Sequence, residues 1–159
     1  MDELWLGFRF DVFFFPGADA SGALDARSKA PAGGVDLRFQ SVKGLGAVVA
    51  TGCYPEGGQN LYAQRLPTGV DYEPLVLERG LVVDSALDRT FDEAMGLFKF
   101  SPSNVLVSLL NEAKDPVSAW LFQNAYPLRW ATSDLDAGAK RVVVDTLELA
   151  YSRIQRLEV

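Results

Sequence analysis

A period-two alternation of apolar and polar side chains returns along most of this sequence and restricts it to a β architecture. From Leu6 to Phe15, residues Phe8, Phe10, Val12 and Phe14 fall on one face, with Arg9, Asp11 and Phe13 on the other. A strand with one buried face produces this pattern, because successive side chains point to opposite sides of a sheet. Phe13 and Phe15 make the far end apolar on both faces, which fits either deep core or a covering neighbour. Val35, Leu37 and Phe39 alternate with Asp36, Arg38 and Gln40, Lys43 to Gly46 turns, and Ala47 to Thr51 is a short strand. Tyr72 to Val83 is a further strand, with a bulge or bend expected at Gly80. The last third supplies the candidates Asn104–Asn111, Pro116–Ala125, Pro127–Trp130 and Lys140–Tyr151, with Glu112–Asp115 as a hairpin loop. Residues Ser152–Val159 either continue the last strand or fray.

The period changes once. Leu87, Phe91, Ala94, Met95 and Phe98 recur at helical spacing and form one apolar stripe. Asp84 or Ser85 caps the start, Asp88 sits in the positive first turn, and Gly96 with Ser101-Pro102-Ser103 stops the helix. Asp88, Asp92 and Glu93 beside Arg89 form a solvated charged face rather than a metal site. One domain over residues 1–159 is expected, a mainly β antiparallel sandwich or barrel with one flanking helix.

Composition narrows the chemistry. Histidine is absent, which removes the commonest general base and metal ligand, so the chain is not expected to be an enzyme or to carry a metal or cofactor. The one cysteine, Cys53, excludes an internal disulfide and reads as a small packing residue. Net charge is −6, a poor match to a phosphate backbone. Trp120, Phe122, Tyr126 and Trp130 have Arg129 almost alone as a basic neighbour, so packing in a core or interface is favoured over base stacking. Arg9 and Asp11 interrupt the first apolar run, and no apolar stretch reaches the length of a membrane span. Synthesis in the cytoplasm without a membrane anchor is expected.

Two segments stand outside this pattern. Residues 16–34 (PGADASGALDARSKAPAGG) form a loop insertion, long for a passive connection. Folding over a partner is one use for it, with Asp25, Arg27 and Lys29 as contact candidates. From Gly52 to Leu81, a Gly-rich turn at Pro55–Gln59 and a second turn at Pro67–Gly69 punctuate a polar stretch. Glu56, Gln59, Asn60 and Arg65 lie there between two apolar strands, either on a simple connecting loop or on an arm that reaches a neighbouring subunit.

From Cys53 onward the chain resembles the tail-tube proteins of contractile phages and phage-like injection systems. The resemblance rests on YPEGGQN (Tyr54–Asn60), RLP (Arg65–Pro67), LERGLVVDSAL (Leu77–Leu87), SLLNE (Ser108–Glu112), PVSAWLFQNAYPLRW (Pro116–Trp130) and LDAGAKRVVVDTLELAY (Leu135–Tyr151). The first third matches more loosely, and insertion 16–34 departs from the short hairpin usual there. The resemblance implies six-membered rings that stack into a hollow tube with a continuous inner β-barrel. It makes residues 52–67 an inter-subunit arm, with Tyr54, Glu56, Gly57, Gly58, Gln59, Asn60, Tyr62 and Arg65 as interface residues. Implied partners are further copies of the chain, sheath and baseplate or spike proteins, and DNA or effector cargo that passes without specific binding. The particle would be a phage tail or an injection device. Asp36, Arg38, Gln40, Ser108 and Gln123 are candidates for the channel lining. An initiator or adaptor ring at the spike or baseplate is the alternative within the same assembly, and a β-barrel module for a small apolar ligand is the alternative outside it.

Overall fold

The seventeen residues Pro116–Thr132 form a single strand where the alternation suggested two. The computed structural model describes residues 9–15, 39–82, 86–138 and 140–158. In chain order its elements are β1 (Phe10–Phe15), β2 (Ser41–Lys43), β3 (Ala47–Tyr54), β4 (Gln64–Tyr72), β5 (Leu75–Gly80), α1 (Ala86–Leu97), β6 (Ser103–Leu110), β7 (Pro116–Thr132), β8 (Val144–Ala150) and β9 (Arg153–Leu157). All pairings are antiparallel. The fold is mainly β, with one helix among the described residues, which is the expected class.

The length of β7 explains the architecture. Its first half pairs with β6 on one side and β9 on the other, and its second half pairs with β8. Two half-sheets, β1-β6-β7-β9 and β7-β8-β5-β2, therefore share one strand. The change of partner falls at Asn124, whose φ of 54° lies in the left-handed region that Asn tolerates better than most residues. The buried Asn104 side chain accepts the Asn124 N–H through Oδ1 at 3.0 Å, which satisfies a donor at the bend. The tail neither frays nor extends β8. It turns at Ser152, whose N–H reaches the Gln123 carbonyl, and returns as β9. Strand β8 begins at Val144, later than expected from Lys140.

The core lies between the half-sheets and under the helix. Val12, Val105, Val107 and Phe122 from the first half-sheet meet Leu75, Leu77, Leu147 and Leu149 from the second, with Leu87 and Phe91 of α1 closing one side. On β1, Phe10 and Phe14 join Val12 against this cluster. Phe13 and Phe15 pack on the opposite face with Leu106, Ala119, Leu121 and Leu157. Ser108, a candidate for the channel lining, is fully buried within the subunit. Its partner across the strands is Asp11, and alternation puts both on the sheet face that carries Leu106 and Phe13.

The helix differs in two details. Leu87, Phe91 and Ala94 are buried, whereas Met95 and Phe98 are exposed, so the stripe is narrower than expected. The helix also runs past Gly96. It stops after Leu97, where Phe98 adopts a φ of 51° and the Lys99 N–H reaches the Glu93 carbonyl at 3.2 Å. Gly80, where a bulge was expected, pairs in register with Val144 as the last residue of β5.

Asp88 is not part of a solvated face. Its Oδ1 accepts a hydrogen bond from Nη2 of Arg79 at 2.5 Å, and the Arg79 side chain is fully buried on β5. Across the sheet from Arg79 stands buried Asp145, whose Oδ1 accepts from the Thr132 hydroxyl at 2.9 Å. The Arg79–Asp88 pair ties α1 to the second half-sheet. Removing Asp88 takes a carboxylate away from a fully buried guanidinium, and breaking comparable buried pairs costs ~3–5 kcal/mol. Asp88→Ala is therefore expected to lower unfolding free energy by about 3 kcal/mol in urea titration. Asp92→Ala, on the exposed face, should lie within about 0.5 kcal/mol of the parent.

Candidate functional site

Strands β3 and β4 form a two-stranded sheet of their own, joined in register from Ala47↔Tyr72 to Tyr54↔Gln64. Nearly every residue of this hairpin is exposed. The arm expected at 52–67 is thus the outer part of a longer projection. Pro67–Gly69, expected to turn, lies inside β4. The register skips Thr68 there, a bulge beside Pro67, which has no N–H to give to the ladder, and the Thr68 hydroxyl donates to the Ala50 carbonyl. Cys53, expected to pack, is exposed on β3.

The outer turn is well specified. Residues 56–59 close through the Gln59 N–H and the Glu56 carbonyl at 3.2 Å, with Gly58 at a φ of +90°, the positive value that a type II turn requires at its third position. Glu56 Oε1 accepts from Gln64 Nε2 at 3.1 Å, and the Gln59 side chain accepts the Leu61 N–H. Glu56 and Gln59 therefore brace the tip. Tyr54, Glu56, Gly57, Gly58, Gln59, Asn60, Tyr62 and Arg65 all lie on this outer part of the hairpin. Asp25, Arg27 and Lys29, like the whole of the 16–34 insertion, lie outside the described residues, as do Asp36 and Arg38.

Both faces of the ribbon carry uncovered apolar groups. Adjacent residues Val48 and Val49 point to opposite faces and each is 58% exposed, and Leu66, Val70 and Tyr54 are about half exposed. Leu61 at the tip is 91% exposed. A hairpin with no third strand and no covering layer among the described residues is marginal in water. Among those residues it presents two unpaired strand edges, aliphatic faces and the cation Arg65, the chemistry of a binding element. Among the described residues there is no His/Cys/Asp/Glu group that could hold a metal ion.

The root, by contrast, is fixed. The Tyr72 ring meets Tyr151 at 5.5 Å between centroids, and Tyr151 stands edge-on to buried Phe122 at 4.8 Å. Burial, with Tyr72 and Glu73 nearby, raises the Tyr151 pKa above its ordinary value. Gly44 has a φ of +89°, and a Cβ there would come within 2.1 Å of the Pro74 carbonyl oxygen. Only glycine lets these two crossing segments touch. On the neighbouring strands, Glu78 accepts from Lys43 Nζ at 2.8 Å and from the Ser41 hydroxyl at 2.5 Å. Those two bonds, Lys43 first, hold the Glu78 carboxyl below its ordinary pKa.

Alternation along the strands did not single out a second set of exposed apolar residues. Leu81, Val82, Leu135 and Val142 cluster where β5 ends and β8 begins, and Phe98, Phe100 and Tyr126 form an edge-to-face series beyond the helix. Their signal in the sequence was faint, because all but Tyr126, which lies within β7, fall in loops or just beyond an element end, where no periodicity operates.

The comparisons with known proteins bear on this geometry. The profile of the T4-like virus tail tube protein gp19 family matches residues 7–155. A chain in the cryo-EM structure of the anti-feeding prophage baseplate superposes with a TM-score of 0.83 and 32% identity, covering 99% of this chain and 98% of that one. A chain in the sheath–tube complex of the extracellular contractile injection system PVC gives a TM-score of 0.77 at 19% identity, covering 99% and 94%. Hcp1 from Flavobacterium johnsoniae shares the fold at a TM-score of 0.57 and 11% identity, covering 94% of each chain. No curated protein matches the sequence.

Two outcomes test the root. Gly44→Ala should lose about 1–3 kcal/mol through backbone strain and collision, while Gly46→Ala, with open space around the added Cβ, should stay within about 0.5 kcal/mol, both read by thermal unfolding. The Glu78 tie should depend on acid. A carboxyl whose folded pKa is depressed contributes fully above its ordinary value, 4.5, and loses that contribution as pH falls through the lower folded value. The stability gap between the parent and Glu78→Gln should therefore be present at neutral pH and close in acid below the ordinary glutamate range.

Proposed function

The chain belongs to the T4-like virus tail tube protein family, and on that premise we propose that six copies close into a ring of the inner tube of a contractile injection system or phage tail. The single observation that carries this reading is the hairpin Ala47–Tyr72, which is apolar on both faces and has no neighbouring strand among the described residues. A ring supplies what one subunit lacks, since head-to-tail contacts close by rotation and cover each exposed edge with the next copy. Rings stacked end to end enclose a conduit for DNA or an effector protein, and a surrounding sheath supplies the driving force. Nothing in this role requires chemistry from the subunit itself.

A specific observation favours a place at the baseplate end. Identity to the chain from the anti-feeding prophage baseplate is 32%, whereas a chain from the cap of the same particle gives 20%, and the PVC sheath–tube chain gives 19%. The difference supports the reading that this chain forms the ring that joins tube to baseplate rather than the repeating body of the tube. Sheath and baseplate proteins are then its further partners.

Electron microscopy of the purified protein tests both statements. Single rings are expected from a joining ring, long tubes from a tube-body subunit, and monomers that take up an apolar dye would overturn the ring in favour of a ligand-binding barrel. Cys53 gives a second readout. Its thiol is expected to react readily in the free subunit and to be protected at least about tenfold on assembly, as judged by maleimide labelling. Equal labelling in both states would remove the hairpin from the interface.

A further inference from the structure

Strand β7 belongs to both half-sheets, and it is irregular where it passes from one to the other. Against β6, Ser103 pairs with Ala125 and Val105 with Phe122, so Asn104 alone faces both Gln123 and Asn124. Against β8, Pro127 pairs with Leu149 and Arg129 with Glu148, so Leu128 is a second extra residue. Two bulges so close together bend and twist the strand twice, the device by which a strand turns from one sheet into another. The bend is held from both sides. Asn104, 5% exposed, accepts the Asn124 N–H through Oδ1, and the Gln123 carbonyl accepts the Ser152 N–H at 2.9 Å. Among the described residues other than glycine that have a positive φ, Phe98 ends the helix and Lys114 lies in the 111–115 loop, whereas Asn124 lies inside a strand. Such a conformation costs free energy and persists only where the surroundings over-determine it.

We infer that this corner of β7 sets the number of copies that close the ring, with Asn104 as its positioning residue. The inference rests on the ring-forming reading and names what fixes the curvature of the ring. A head-to-tail ring joins two different patches of each copy, and the angle between those patches is the rotation from one copy to the next. Each half-sheet has a border of its own that no further strand covers among the described residues. The hairpin β3–β4 continues the β2–β5 pair of the second half-sheet, and β1 and β9 are the outer strands of the first. A contact that joins one border to the other is bridged within every copy by β7, so the bend at residues 123–128 enters the rotation directly. Six copies need about 60° each and seven about 51°, so a change of about 9° at the corner is enough to alter the count or leave the ring open. Asn104 lies on β6, away from both borders, and acts on the ring only through the backbone of β7.

Counting copies per ring in the full chain, by native mass spectrometry and microscopy below the unfolding transition, tests the corner. Asn104→Leu removes the acceptor at similar volume, and Asn124→Val, at an exposed position, drives the backbone out of the left-handed region. Each is expected to lower the fraction of closed rings with the parent count at least about tenfold, in favour of open arcs and other ring sizes. Asn104→Asp, which keeps an acceptor, and Asn124→Gly, which adopts the same φ without steric cost, should retain the parent count. Asp88→Ala controls for lost stability alone: it weakens the fold away from the corner and should still close rings of the parent count. Unchanged counts in Asn104→Leu and Asn124→Val, or an altered count in Asp88→Ala as well, would overturn the role of the corner while leaving the ring intact. If Asn104→Leu does not fold, Asn124→Val decides alone. A parent chain that remains monomeric would overturn the ring reading and this inference with it.

Discussion

A ribbon of two strands has two faces and two edges, and the hairpin Ala47–Tyr72 carries aliphatic side chains on both faces without a layer against either among the described residues. Each fully covered Val or Leu is worth ~1.5–3 kcal/mol relative to an exposed one. A ribbon that leaves several of them in water gives up that stabilisation until something covers it. The hydrophobic effect is indifferent to whether the cover comes from the same chain or another. This makes assembly, rather than folding of the subunit, the step at which the hairpin's apolar surface contributes its free energy.

A projecting element can only serve such a contact if its direction is fixed, and the chain concentrates its specific interactions at the root. Gly44 lets the chain pass against the Pro74 carbonyl, the Tyr72–Tyr151–Phe122 series joins β4 to the core, and Glu78 ties β2 to β5 through Lys43 and Ser41. At the tip, the turn at 56–59 and the Glu56–Gln64 bond hold the shape of the loop without tying it to the body. Immobilising an already shaped hairpin costs less side-chain and backbone entropy than ordering a flexible loop, so more of the burial free energy remains for association.

The parts of this arrangement that were legible in the sequence are those governed by local periodicity. Strand β1, the helix and the 111–115 hairpin loop follow from alternation, helical spacing and turn residues, and the Pro55–Gln59 turn is where its glycines place it. What local pattern could not resolve depends on partners distant in sequence. Tyr126 and Pro127 look like a strand break until Asn104 is seen to hold the bend at Asn124, twenty residues away along the chain. Pro67–Gly69 has the composition of a turn, yet pairing with Ala50 and Thr51 absorbs the same residues as a bulge. Asp88 reads as a solvated carboxylate because its partner, Arg79, belongs to another element. The reading of residues 52–67 as an inter-subunit arm comes from resemblance. Their physics alone, polar residues between strands, favours a connecting loop.

Charge adds a constraint on how such subunits come together. In the ring proposed above each copy would carry a net −6, so copies would repel at long range, and the repulsion would grow as the ring fills. At physiological salt the Debye length is about 8 Å, which screens charges spread over the surface far more than groups in contact. Cohesion therefore has to come from short-range terms: apolar coverage of the hairpin and opposite charges brought close together. A weak screened repulsion opposed by strong local contacts favours copies that meet in one register, because a misplaced hairpin gains no apolar cover while still bearing the repulsion. In the proposed ring the acidic surface would keep subunits apart unless the hairpin is seated correctly, and specificity would arise from the balance of those two ranges of force.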